Sequence, residues 1–171
     1  MYDARKESVP GPGGWYRITN QANDKVLEVD LDHVTDNGKY LRQCYTRGDW
    51  GEHLQQWQMQ RVGEDEPWVI LRNRANNKVL ELDALHPHRN GFYVQQWDYL
   101  GPHAHNQHWE LRRVEFRCYK LVNRSNGRVL EVDAENLDRD GAYVQQWEDL
   151  GGHFNQYWSF VRVEAFSRIE A

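Results

Sequence analysis

Apolar residues in this chain fall in short runs rich in Val, Leu, Tyr and Trp, each closed by Asn, Asp or Gly. Runs bounded in this way by turn formers read as strands, and no segment carries the spacing of an amphipathic helix. The runs also recur. LysValLeuGluValAsp at 25–30 returns as LysValLeuGluLeuAsp at 78–83 and as ArgValLeuGluValAsp at 128–133. Laid over one another without gaps, 68–97 and 118–147 agree at 16 of 30 positions, and 15–44 and 68–97 at 14 of 30. The copies close alike, at Leu54-Gln55-Gln56-Trp57, Asn106-Gln107-His108-Trp109 and Asn155-Gln156-Tyr157-Trp158.

A period near fifty residues calls for a repeat architecture. In the second copy four strands are predicted at 68–73, 78–82, 93–97 and 108–113, turned by Asn76-Asn77 and Asn90-Gly91. The third copy uses Asn126-Gly127 and Asp140-Gly141 for the same turns. Three four-stranded units predict an all-β fold, a β-trefoil with pseudo-threefold symmetry; a three-bladed propeller lies below the usual blade number. The units run about 15–62, 68–113 and 116–163, and the connections between them are too short to separate domains. One domain is therefore expected at 15–163, with a flexible lead-in at 1–14 and a tail at 164–171.

Charge narrows the class of partner. A formal net charge of −5 and a pI near 5.9 supply no clustered basic surface for nucleic acid. No stretch approaches the roughly 20 apolar residues of a spanning helix, so no direct membrane insertion is expected, and the first residues lack the apolar core of a signal peptide. Two cysteines far apart, Cys44 and Cys118, make no disulfide framework, and these features together favour the cytoplasm. Eight Trp and nine Tyr must serve either as core or as binding surface. Trp57, Trp109 and Trp158 close their units at matching places and are assigned to the core.

Histidines at 86, 88, 103, 105, 108 and 153 have neither the HExxH spacing nor the cysteine company of a zinc site, so they read as solvated loop residues; no metal and no cofactor is expected. His103 and His153 occupy matching loop positions after Trp97 and Trp147, where they are expected to line a rim. No nucleophile triad, P-loop or closely paired carboxylates mark an enzyme.

Three closing Gln-X-Trp motifs at one phase of the repeat resemble the ricin-B-like lectins and related xylan-binding modules over about 15–162. The resemblance implies a β-trefoil that binds sugars; with no catalytic motif in view, no enzyme activity is expected. It also implies where the pockets lie. In the second unit the sugar-binding residues would be Asp83, Gln95, Trp97, Asn106 and Gln107; in the third, Asp133, Gln145, Trp147, Asn155 and Gln156. The first unit keeps Asp30 and Gln55 but carries Arg42, Cys44 and Leu54 at the other positions, so its pocket is expected to be lost, and Asp30 to be only a turn former.

These residue types suit a pyranose, which offers one apolar face and a rim of hydroxyls. Trp97 and Trp147 would be the platforms, and Asp83 and Asp133 would accept bonds from neighbouring hydroxyls. Asn106 and Asn155 would bond the sugar directly, while Gln107 and Gln156, on the family pattern, would hold the aspartates in place. Glycans or glycoconjugates of the galactose or N-acetylgalactosamine type are the expected partners, with a xylan-type module and a non-lectin β-trefoil such as a protease inhibitor as the alternatives.

Overall fold

The computed structural model describes residues 10–48 and 51–163. The expected tail at 164–171 and most of the expected lead-in lie outside them. Twelve strands were found, in three sets of four. The first unit holds β1 (Tyr16–Asn20), β2 (Val26–Glu28), β3 (Arg42–Cys44) and β4 (Trp57–Arg61). The second holds β5 (Trp68–Asn73), β6 (Val79–Leu82), β7 (Val94–Trp97) and β8 (Trp109–Glu115). The third holds β9 (Cys118–Asn123), β10 (Val129–Val132), β11 (Val144–Trp147) and β12 (Trp158–Arg162). Among the described residues the only helical pieces are single 3₁₀ turns.

The outer strands of each unit close a barrel. β1 pairs with β4, β4 with β5, β5 with β8, β8 with β9, β9 with β12, and β12 returns to β1, every pairing antiparallel. Closure leaves this ring with no free edge. The inner strands form three hairpins, β2–β3, β6–β7 and β10–β11. Adjacent hairpins touch through single bridges, Tyr40 to Gln95, Tyr93 to Gln145 and Arg42 to Tyr143. There the rings of Tyr40, Tyr93 and Tyr143 meet with centroids 5.0 to 5.3 Å apart. This is the β-trefoil that the repeat predicts.

The core explains why each unit ends in Trp. Trp57, Trp109 and Trp158 are at most 1% exposed and share one cluster with Ile18, Leu71, Leu121 and the leucines of the hairpins. Each indole N–H donates to a hairpin carbonyl, that of Leu27, Leu80 or Leu130, at 2.9 to 3.0 Å. The ring thus fills the barrel and fastens the hairpin to it, satisfying a buried acceptor at the same time. At the far end of the barrel, Gly11 N–H reaches the Tyr16 hydroxyl at 3.4 Å. The described end of the lead-in packs there over a cavity of about 250 Å³ that Met59, Val69 and Tyr119 also line.

Candidate functional site

Register decides which side chains of a hairpin share a face, because residues directly opposite in an antiparallel pair point the same way. In β6–β7, Glu81 lies opposite Gln95 and Val79 opposite Trp97. In β10–β11, Glu131 lies opposite Gln145 and Val129 opposite Trp147. The buried carboxylate facing each expected glutamine is therefore a glutamate within the strand, and Asp83 and Asp133 lie beyond its end.

Around Glu81 the structure gathers amides. Gln95 Nε2 donates to Oε1 at 2.8 Å, Gln107 Nε2 to Oε2 at 2.8 Å, and Asn106 Nδ2 lies 3.5 Å from Oε2. Glu131 is held in the same way by Gln145 at 2.9 Å and Gln156 at 2.8 Å. Both glutamates are only 4% exposed. Burial pushes Glu81 above the usual carboxylate range; Gln107 and Gln95 offset this in part, and the charge of Asp83 adds to it. Burial raises Glu131 likewise, against bonds from Gln156 and Gln145 and the nearby charge of His153.

Two assignments change as a result. Gln107 and Gln156 do not hold the aspartates: each spends its amide on the glutamate and on a backbone carbonyl, Asp98 or Glu148, at 2.9 Å. The reason is reach, since the closing turn places these side chains beneath the hairpin, against the inward-facing glutamate. Asn106 and Asn155 are also less free than expected, because each Nδ2 donates at 2.9 Å to a strand-end carbonyl, Leu82 or Val132. That leaves their acceptor oxygens and, on Asn155, a second amide N–H for a ligand. Asp83 and Asp133 cap the next turn, accepting from Leu85 N at 2.9 Å and Glu135 N at 3.0 Å. They stay half-exposed beside the array, with one carboxylate oxygen of Asp133 also taken by Asn136 at 3.0 Å.

Trp97 and Trp147 are half-buried, unlike the three closing tryptophans. Each projects next to its amide and carboxylate array with part of the ring open to solvent. The structure thus brings together, in units two and three, an apolar surface, a half-exposed aspartate, an asparagine oxygen and a buried polar floor. Such a set can grip a neutral polyhydroxylated ring.

The first unit is built differently. Glu28, fully buried, accepts from Arg42 Nη2 at 2.8 Å, Arg47 Nε at 2.7 Å, Gln55 Nε2 at 2.7 Å and Cys44 Sγ at 3.3 Å. Burial alone would raise this carboxyl, but the bonds from Arg47, Arg42, Gln55 and Cys44 outweigh it and hold Glu28 below its ordinary value. Cys44 is buried too, and burial together with the Glu28 charge pushes its thiol up to about 12. Asp30 caps a turn through Asp32 N at 3.0 Å, as expected of a turn former.

Histidine behaviour is mixed. His103 and His153 are exposed, whereas His108 is fully buried between Gln107 and Trp109, contrary to its reading as a solvated loop residue. The X of Gln-X-Trp packs inward here, and burial lowers the His108 pKa. Among the described residues no group of His, Cys, Asp and Glu is arranged to hold a metal ion. The glutamates were the residues that sequence reasoning missed. Their signal was present: a charged residue at the same place in three otherwise apolar strands.

The ricin-type β-trefoil lectin domain-like family matches residues 6–97 and 105–170. The chain belongs to this family. Its members and structural relatives mark the domain as carbohydrate-binding. The designed threefold-symmetric protein ThreeFoil is similar, with a TM-score of 0.77 and 28% identity over 88% of this chain and 100% of that one. The exo-β-1,3-galactanase 1,3Gal43A of Clostridium thermocellum has a TM-score of 0.75 and 27% identity over 91% of this chain, which spans 32% of the galactanase. The ricin B-like lectin of Macrolepiota procera, solved in complex with lactose, shares the fold at a TM-score of 0.70 and 17% identity, over 91% of this chain and all of that one. No curated protein matches the chain in sequence.

Proposed function

We propose that this ricin-type β-trefoil domain is a lectin with two working pockets, in units two and three, for galactose or N-acetylgalactosamine residues of glycans. The observation that carries the reading is the pair of half-exposed indoles, Trp97 and Trp147, each beside an identical array of one buried glutamate and two glutamines. A galactopyranose has an axial hydroxyl that leaves a contiguous C–H surface on one face, which suits stacking on an indole. The remaining hydroxyls find acceptors in Asp83 or Asp133 and in the oxygen of Asn106 or Asn155. The lactose held by the Macrolepiota lectin and the galactanase with a similar domain support the choice of sugar.

Single shallow pockets bind at about millimolar strength, roughly −4 kcal/mol, so two on one rigid body serve best on a surface that presents many sugars. Glycan-array binding by the wild type and by a Trp97→Ala/Trp147→Ala double variant tests the reading. Signal on terminal galactosides that disappears in the variant is expected. Signal confined to xylo-oligosaccharides overturns the choice of sugar, and no glycan signal overturns the lectin reading.

A further inference from the structure

Each platform position is gripped by the unit before it. The strand residue before Trp97 offers its carbonyl to Gly38 N–H of unit one at 2.9 Å, and the residue after it, Asp98, donates its N–H to Asn37 Oδ1 at 2.9 Å. Gln96 completes the grip by donating to the unit-one carbonyls of His33 and Asp36 at 2.9 and 2.6 Å. Unit two repeats the arrangement on unit three: Gly91 N–H bonds Gln146 O at 2.9 Å, Asn90 Oδ1 takes Glu148 N–H at 2.9 Å, and Gln146 donates to His86 O and Arg89 O. Unit three closes the circle on unit one through Gly141 to Gln43 O at 2.7 Å and Asp140 Oδ1 to Tyr45 N at 3.0 Å.

The glycines also meet the rings. A Cβ on Gly38 would lie 3.3 Å from Trp97 Cζ3, and one on Gly91 3.5 Å from Trp147 Cζ3, whereas one on Gly141 would have nothing within 4 Å. Cys44 stands where the third indole would be.

We infer that the hairpin loops of units one and two are walls of the pockets in units two and three, and that Asn37 and Gly38 are positioning residues for Trp97. Unit one, without a pocket of its own, is then a working part of the pocket in unit two. The inference rests on the lectin reading for its consequence in binding, but the positioning of the ring stands or falls separately.

Three matched variants test it. Gly38, Gly91 and Gly141 have φ of +79°, +84° and +81°, so an alanine at any of them meets the same backbone strain. Only the contact with an indole differs. We would record the indole N–H resonances of Trp97 and Trp147, together with lactose affinity in Trp147→Ala and Trp97→Ala backgrounds that leave one pocket each. Gly38→Ala is expected to move the Trp97 resonance and weaken the unit-two pocket about fivefold, leaving the unit-three pocket unchanged. Gly91→Ala, whose Cβ would meet Trp147 at ordinary contact distance, is expected to move the Trp147 resonance less and to change the unit-three pocket little, and Gly141→Ala to move neither resonance. Asn37→Ala, which keeps the glycine, should act in the same direction as Gly38→Ala if the latter folds poorly.

A Trp97 resonance unmoved by both unit-one variants overturns the inference, as does an equal loss of unit-two affinity in Gly141→Ala. Movement of the resonance without any lactose binding in the wild type would uphold the wall and overturn the choice of galactose-type sugar instead.

Discussion

Units one and two share five of six residues in the motif at 25–30 and 78–83 and bury the matching glutamate, yet satisfy it in opposite ways. Glu81 receives neutral amides and is raised by burial; Glu28 receives two guanidiniums and is lowered despite burial. The difference follows from two positions on β3. Arg42 in place of glutamine brings a charge to Glu28, and Cys44 in place of tryptophan removes the apolar surface. A second arginine, Arg47, joins from the following loop. Where unit two holds its buried carboxylate with neutral amides, unit one makes an internal ion pair, which teaches that one scaffold position takes on a different electrostatic character according to what faces it.

The largest expected effect breaks this contrast on the binding side. Trp97→Ala/Trp147→Ala should abolish glycan binding in titration calorimetry, and each single variant should halve the number of sites. On the side of cohesion, Glu28→Gln removes the buried carboxylate that Arg42 and Arg47 share, while Arg42 keeps Asp30 at 3.7 Å, and should cost about 3 kcal/mol in urea unfolding. Glu81→Gln, which strands no cation, should stay within about 1 kcal/mol of the wild type. Equal losses in the two would erase the distinction between the units.

Acidity should separate them further. The lowered Glu28 contributes stability that is present above the ordinary carboxylate pKa and lost as pH falls through its depressed folded value. The raised Glu81 and Glu131 work the other way: their contribution is full below the ordinary value and is lost as pH rises through their elevated folded values. Thermal melts should therefore show Glu28→Gln losing less stability than the wild type toward strong acid. Glu81→Gln/Glu131→Gln should lack the wild type's loss of stability as pH rises from the ordinary carboxylate range. Last, Cys44→Trp should leave the number of bound sugars at two in calorimetry, because Arg42 and Arg47 still saturate Glu28. A third site would show that the missing indole alone disabled unit one.

Much of this protein follows from its sequence. The threefold repeat, the all-β fold and the strands of unit two were legible because short apolar runs closed by turn formers report local geometry, as β5 at Trp68–Asn73, followed by the Asn76-Asn77 turn, shows. The departure of unit one was legible too, since Arg42 and Cys44 break a pattern kept twice elsewhere, and the structure places both against Glu28. The carboxylate at the centre of each site was not. Asp83 and Glu81 are equally plausible in a linear reading, and only the pairing of Glu81 with Gln95 across β6–β7 decides that the buried acceptor is Glu81 and that Asp83 caps a turn. The same holds for the walls: Gly38 and Trp97 are far apart along the chain, and no periodicity links them. Local pattern determines elements because its physics acts over a few residues. Register and the circular packing of the three units are long-range, and they alone decided which side chains meet.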